Sequence, residues 1–111
     1  MIIDLPFPAA PLWPNKRAHW DAEARETKKH RAWACMATKA TNAKLDAVKR
    51  IRITVYPKAR GPAPDRDNCI AAFKAYQDGI ADGLGLNDAT FPAPEVRISE
   101  TRRASFVVEV V

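Results

Sequence analysis

Residues 50–56, Arg-Ile-Arg-Ile-Thr-Val-Tyr, alternate strictly between polar and apolar side chains. In a strand, Ile51, Ile53 and Val55 share one face, and Arg50, Arg52, Thr54 and Tyr56 share the other. The pattern predicts a strand buried on one side only, which needs a covering layer. Pro57 ends the run, and residues 57–64 (Pro-Lys-Ala-Arg-Gly-Pro-Ala-Pro) read as a loop.

Two segments can supply the cover. From Asp21 to about Lys44 the chain is rich in Ala, Lys, Arg and Glu, all good helix formers. Asp21 is the expected N-cap, and Glu23 suits a first turn. His30, inside Lys28-Lys29-His30-Arg31, reads as helix surface. A second helix is expected from near Asp67. Ile70, Phe73, Gln77, Ile80 and Leu84 recur at helical spacing and define a face, while Asp67, Ala71, Lys74 and Asp78 define a polar one. Gly83 and Gly85 are its stop signals.

Ile2–Leu5 reads as a first strand, followed over residues 6–14 by four prolines that favour an extended, non-helical path. Strands are expected around 95–99 and 104–111, with Thr101-Arg102-Arg103 as their turn. The order β-α-β-α-β-β predicts one α+β domain with a mixed sheet and two helices over the 111 residues. No stretch of 18 apolar residues occurs, which argues against a membrane span, and an early acid with prolines close behind argues against a signal peptide. A cytoplasmic setting is the resulting expectation. Cys35 and Cys69 lack metal-site spacing with each other or with His19 and His30, so they read as small buried hydrophobes.

The net charge of +5 is unevenly spread. Residues 16–60 carry 13 basic and 4 acidic side chains, whereas residues 61–111 carry 5 basic and 8 acidic ones. The first part suits a polyanion such as a nucleic-acid backbone. In the second, Pro64-Asp65-Arg66-Asp67-Asn68 places two carboxylates two residues apart behind a proline. On an extended segment both point the same way and invite a hard divalent cation, which Mg²⁺ satisfies with few carboxylates and several waters. Asp67 would serve equally well as a helix cap. Lys74 lies two turns past Asp67 and could reach a phosphate or simply pair with Asp78. Asp88, in Leu84-Gly85-Leu86-Asn87-Asp88, is a third candidate acid. Three carboxylates, a lysine and a basic surface fit metal-assisted phosphodiester hydrolysis.

With these residues in view, the chain resembles the RusA family of Holliday junction resolvases, small dimeric endonucleases of phages and prophages. Leu5-Pro6-Phe7-Pro8 and Asn15-x-Arg17-x-His19-Trp20 resemble that family's opening, and Asp65-Arg66-Asp67-Asn68 its D-x-D-N motif. Asp78-Gly79-Ile80-Ala81-Asp82 and Leu86-Asn87-Asp88 resemble the stretch with its third acid. The resemblance implies a RusA-like fold, a Mg²⁺ or Mn²⁺ site of Asp65, Asp67 and Asp88, and paired cleavage of four-way DNA junctions by a homodimer. In that family an essential lysine follows the second motif acid by four residues. Here that position is Ala71, and Lys74 is the nearest substitute on that face. Branched DNA would meet Asn15, Lys16, Arg17, His19, Lys28, Lys29, Arg31 and Arg66, with Trp13 or Trp20 either stacking at the junction or packing on the basic helix. Competing readings are a non-catalytic nucleic-acid-binding module and a related nuclease acting on flaps, forks or RNA.

The three acids pose a problem of distance. A straight helix over 67–83 is about 25 Å long, and the four residues after Leu84 span at most about 14 Å. Asp88 meets Asp67 if the helix is shorter, if it kinks at Gly79, if the chain runs back along it, or if two copies pair antiparallel. The last is expected, because a two-fold dimer matches a two-fold junction.

Overall fold

The computed structural model describes residues 1–16 and 19–111. Strand β1 (Ile2–Pro6) leads through a 3-10 turn (Ala10–Leu12) to helix α1 (Trp20–Ala40). Strand β2 (Ile51–Tyr56), helix α2 (Arg66–Leu84), a second 3-10 turn (Asp88–Thr90), β3 (Glu95–Ile98) and β4 (Ser105–Val110) follow. The domain is α+β, with both helices packed on one face of a four-stranded mixed sheet ordered β1-β4-β2-β3.

The alternation in β2 does what it requires. Ile51, Ile53 and Val55 are buried, and Arg52 is exposed on the opposite face. Phe106, Val108 and Val110 of β4 and Ile3 and Leu5 of β1 join the same covered side. Asp4, Arg52, Glu95, Arg97 and Glu109 belong to the uncovered side, where Arg52 pairs with Glu95 and Glu109. The expected turn between the last two strands does not make a hairpin. β3 instead pairs parallel with β2, from Arg52↔Glu95 to Val55↔Ile98. β4 pairs antiparallel with both β2 and β1. Thus β2-α2-β3 is a crossover unit in which the helix carries the chain back, and β3 takes the sheet edge.

Several local expectations are corrected. The helix N-cap is His19, whose Nδ1 accepts from the Asp21 backbone N–H at 3.3 Å. Helix α1 ends at Ala40, short of Lys44, because Asn42 adopts a left-handed φ of +57° that short polar side chains tolerate. His30 is buried rather than superficial. Its Nδ1–H donates to Glu26 O at 2.7 Å, and its Nε2 accepts from the Ala9 N–H at 3.2 Å. Counting charged neighbours hid this residue, which faces inward between Trp33 and Tyr76. The proline stretch contains one 3-10 turn, with Pro11 second in it, where a backbone N–H has no partner within the turn to lose.

The buried face of α2 is also rotated from the one expected. Ile70 is 37% exposed, whereas Cys69, Ala72, Phe73, Tyr76, Gly79 and Ile80 are buried. Small residues allow α1 and α2 to approach closely. A Cβ on Gly79 would lie 2.1 Å from Arg31 O, and one on Gly83 would lie 2.7 Å from Thr38 Cβ. Gly83 therefore serves packing inside the helix, and only Gly85, at φ +70°, ends it. Tyr76 Oη donates to Pro6 O at 2.6 Å and ties α2 to β1.

Candidate functional site

Helix α2 runs unbroken for 19 residues and carries the acids at two separate places. At its start, Asp65 is the N-cap. Its carboxylate accepts from the Asn68 backbone N–H at 2.8 Å and from the Asn68 side-chain amide at 3.3 Å. Asp67 lies in the first helical turn and is exposed. Asp65 has extended backbone and Asp67 helical backbone, so the period-two argument for a shared direction does not apply between them. The cap is Asp65, which leaves Asp67 without that duty. Arg66 is exposed on the same turn.

At the far end, Gly85 turns the chain, and the Leu86 N–H donates back to Ala81 O at 3.0 Å. The chain then runs back beside the helix. Lys74 Nζ donates to Asp88 at 2.6 Å and to Asp78 at 2.9 Å. The Lys74 ammonium holds Asp88 below the usual carboxylate range, and Asp88 and Asp78 raise Lys74 in turn. The pairing expected of Lys74 with Asp78 is present, and Lys74 meets Asp88 as well. Arg31 grips Asp82 through two hydrogen bonds of 2.6 and 3.0 Å, which lowers the Asp82 pKa and joins α1 to this end of α2.

The run back brings Asp88 to the ammonium of Lys74, a residue two turns or about 10 Å of helix past Asp67. Shortening of α2 is excluded, since the helix runs from Arg66 to Leu84. Among the described residues no group of three His, Cys, Asp or Glu side chains is placed to hold a metal ion. Asp65, Asp67 and Asp88 are thus not gathered into such a group within one chain of this structure. Mg²⁺ is usually held by one or two carboxylates, and Asp65 and Asp67 are the two exposed at this helix start.

The basic candidates also separate. Asn15 and Lys16 line a cleft of about 390 Å³ that reaches Asp65 and Asn68. Arg17 lies outside the described residues. His19 is committed to capping α1. Lys28 is exposed on the outer face of α1 beside Trp20, which is 74% exposed. Lys29 pairs with Glu26 at 2.8 Å and lies 5.3 Å from the Trp33 ring, and Arg31 is occupied by Asp82. Trp13 belongs to the core, stacked on Phe7 at 5.0 Å and edge-on to Phe106. Of these two tryptophans, Trp20 is the exposed one.

Sequence reasoning missed Lys58, Arg60 and Phe7, which complete that cleft. A signal was present: two cations flank Ala59 in the loop that delivers the chain to Asp65. A second depression, of about 470 Å³, lies on the uncovered sheet face. Its Arg52, Glu95 and Glu109 satisfy one another, and it holds none of the candidate acids.

No family model matches the chain. It is similar to an uncharacterized protein of Xylella fastidiosa (strain Temecula1), at 39% identity over 111 residues that cover 96% of this chain and 72% of the relative.

Proposed function

We propose that this chain, which belongs to the same family as the Xylella fastidiosa protein, is a metal-dependent, structure-selective DNA endonuclease that resolves four-way junctions as a homodimer. The observation that carries this reading is the start of α2. Exposed Asp67 and the cap Asp65 stand beside a cleft bearing Lys16, Lys58 and Arg60. Acids beside cations suit a reaction on a phosphodiester, in which the substrate charge is held while a water is activated. The motif order that resembles RusA supports the same reading.

In this reading Asp65 and Asp67 hold Mg²⁺, with Mn²⁺ as a substitute, and Asp88 joins them from a second copy. Once bound, the metal supplies a more acidic water and neutralises phosphate charge. The protein's part is to fix the acids on a rigid helix end and to steer the strand by cationic side chains. Lys74 keeps Asp88 ionised and positioned. An exposed ion pair of this kind is worth little, so Asp88 can leave it for a partner's site.

A second reading draws on one specific observation. Asp88 is already satisfied by Lys74, which agrees with a non-catalytic module that binds nucleic acid through the cationic cleft alone. Incubation with a synthetic four-way junction in Mg²⁺ or EDTA, beside duplex, flap, fork and RNA controls, separates the readings. The nuclease reading expects paired nicks in the junction with metal only. Binding without cleavage in Mg²⁺ and Mn²⁺ would establish the module instead, and preferred cutting of flaps, forks or RNA would reassign the substrate.

A further inference from the structure

We propose that the cleft between Phe7 and the 57–64 loop is a subsite for one unpaired nucleotide of single-stranded DNA, its base on the Phe7 ring and its phosphate among Lys16, Lys58 and Arg60. This deepens the nuclease reading and rests on it for its purpose, but the geometry that carries it does not depend on Asp67 or Asp88.

The cleft has about 390 Å³ of space, within the range of small-molecule sites. Its walls mix two chemistries. Phe7, Ala10 and Pro62 are apolar, and Lys16, Lys58 and Arg60 are cationic. None of those three cations has a carboxylate within 4.0 Å among the described residues, whereas Lys29, Arg31, Arg50 and Lys74 all do. Phe7 is backed by Trp13, with ring centroids 5.0 Å apart and planes 18° from parallel. The Lys58 ammonium lies over the Phe7 ring, 5.5 Å from its centroid, so a base that stacks there takes its place and Lys58 turns to the phosphate. An aromatic ring with cations beside it accepts any base of a single strand, since every base offers a π-face and every nucleotide a phosphate. A base inside a duplex already stacks on its neighbours and would first have to be extruded. The charge of Asp65 repels a phosphate from the α2 end of the cleft, which directs it to the lysines and Arg60.

The walls are held in place before any ligand arrives. Arg102 donates to Lys58 O at 2.8 Å and to Gly61 O at 2.9 Å, which sets the shape of the loop. Trp13 Nε1–H donates to Pro8 O at 2.8 Å, and His30 holds the Ala9 N–H. Binding therefore orders little new structure. The subsite adjoins Asp65, so an unpaired nucleotide seated there places its strand at the start of α2.

The test uses the whole chain with fluorescein-labelled dT12 and a blunt 12-base-pair duplex, followed by anisotropy in EDTA. The expected result is about tenfold tighter binding of dT12 than duplex. Lys58→Ala and Arg60→Ala should each weaken dT12 by about three- to tenfold and lower its salt slope by about 0.7. Phe7→Leu should weaken dT12 with its slope unchanged, because it removes a stack and no phosphate contact. Because Phe7 also packs on the core, a second measurement guards this arm. With Trp20→Phe and Trp33→Phe, Trp13 is the remaining tryptophan, and its emission should change on dT12 binding. Equal affinity for dT12 and duplex, unchanged binding in both cation variants, or unchanged Trp13 emission would overturn the subsite. The nuclease reading fails separately. Absence of metal-dependent cleavage with the dT12 results intact would sink it and leave the cleft standing.

Discussion

The two ends of α2 differ in how their charges are met. At the C-terminal end, Lys74 bridges Asp78 and Asp88, and Arg31 holds Asp82. At the N-terminal end, Asp67 has no cation within 4.0 Å among the described residues, and the nearby Lys16, Lys58 and Arg60 have no carboxylate. The first arrangement is self-sufficient and welds helix to helix and helix to loop. The second leaves charge of both signs unspent around a cleft.

The comparison breaks most severely at Gly79, where the helices touch. A Cβ there meets Arg31 O at 2.1 Å and Ala34 Cβ at 2.8 Å. Gly79→Ala should cost about 2–3 kcal/mol or more, seen as a lower midpoint in urea, and Gly79→Val should not yield folded protein by circular dichroism. Next in size is a contrast between the ends. Asp67→Asn should lower junction cleavage at least about a hundredfold while the melting temperature stays within about 2 °C. Asp82→Asn should loosen Arg31 and leave cleavage within about twofold.

A smaller effect concerns the wall of the cleft. Burial lowers the His30 pKa below 6.5, so the unfolded chain takes up the proton more readily than the folded one. The stability contributed by neutral His30 is complete above pH 6.5 and is lost as the pH falls from there toward the folded-state value. A charged ring would also give up its acceptor for the Ala9 N–H. The melting temperature should thus fall between pH 7.5 and 5.5, and His30→Gln should flatten that dependence in a calorimetric scan. The smallest effect separates neighbours on α1. Lys28→Ala should reduce the salt slope of junction binding by about one unit. Lys29→Ala should change it less, since Lys29 is held by Glu26 and Trp33.

How far the sequence could be read depended on the range of the interaction. The β2 alternation, the start of α2 and the Gly85 stop are local, and each was legible within a few residues. The partner of β3 was not, because a turn signal at 101–103 fits a hairpin as well as a crossing, and only packing decides between them. The inward turn of His30 was hidden by its charged neighbours, and the buried face of α2 by a count that favoured large side chains over Ala72 and Gly79. In the site, D-x-D-N falls on the start of α2, and the return of the chain that brings Asp88 to Lys74 depends on the Gly85 turn and on packing beyond it. Lys58 and Phe7 lie 51 residues apart in sequence, and only the fold brings them to one cleft.

The account's central claim is that the open end of α2 is the reacting end and that a second copy completes it. Mixing Asp67→Asn with Asp88→Asn, after co-refolding, tests this directly in the junction-cleavage assay. Half of the dimers are then mixed, and each mixed dimer holds one intact composite site, so about a quarter of wild-type sites should return. The products should be single nicks, with neither variant active alone. Two inactive variants whose mixture stays inactive, with mixed dimers demonstrated by differential tagging, would contradict the claim.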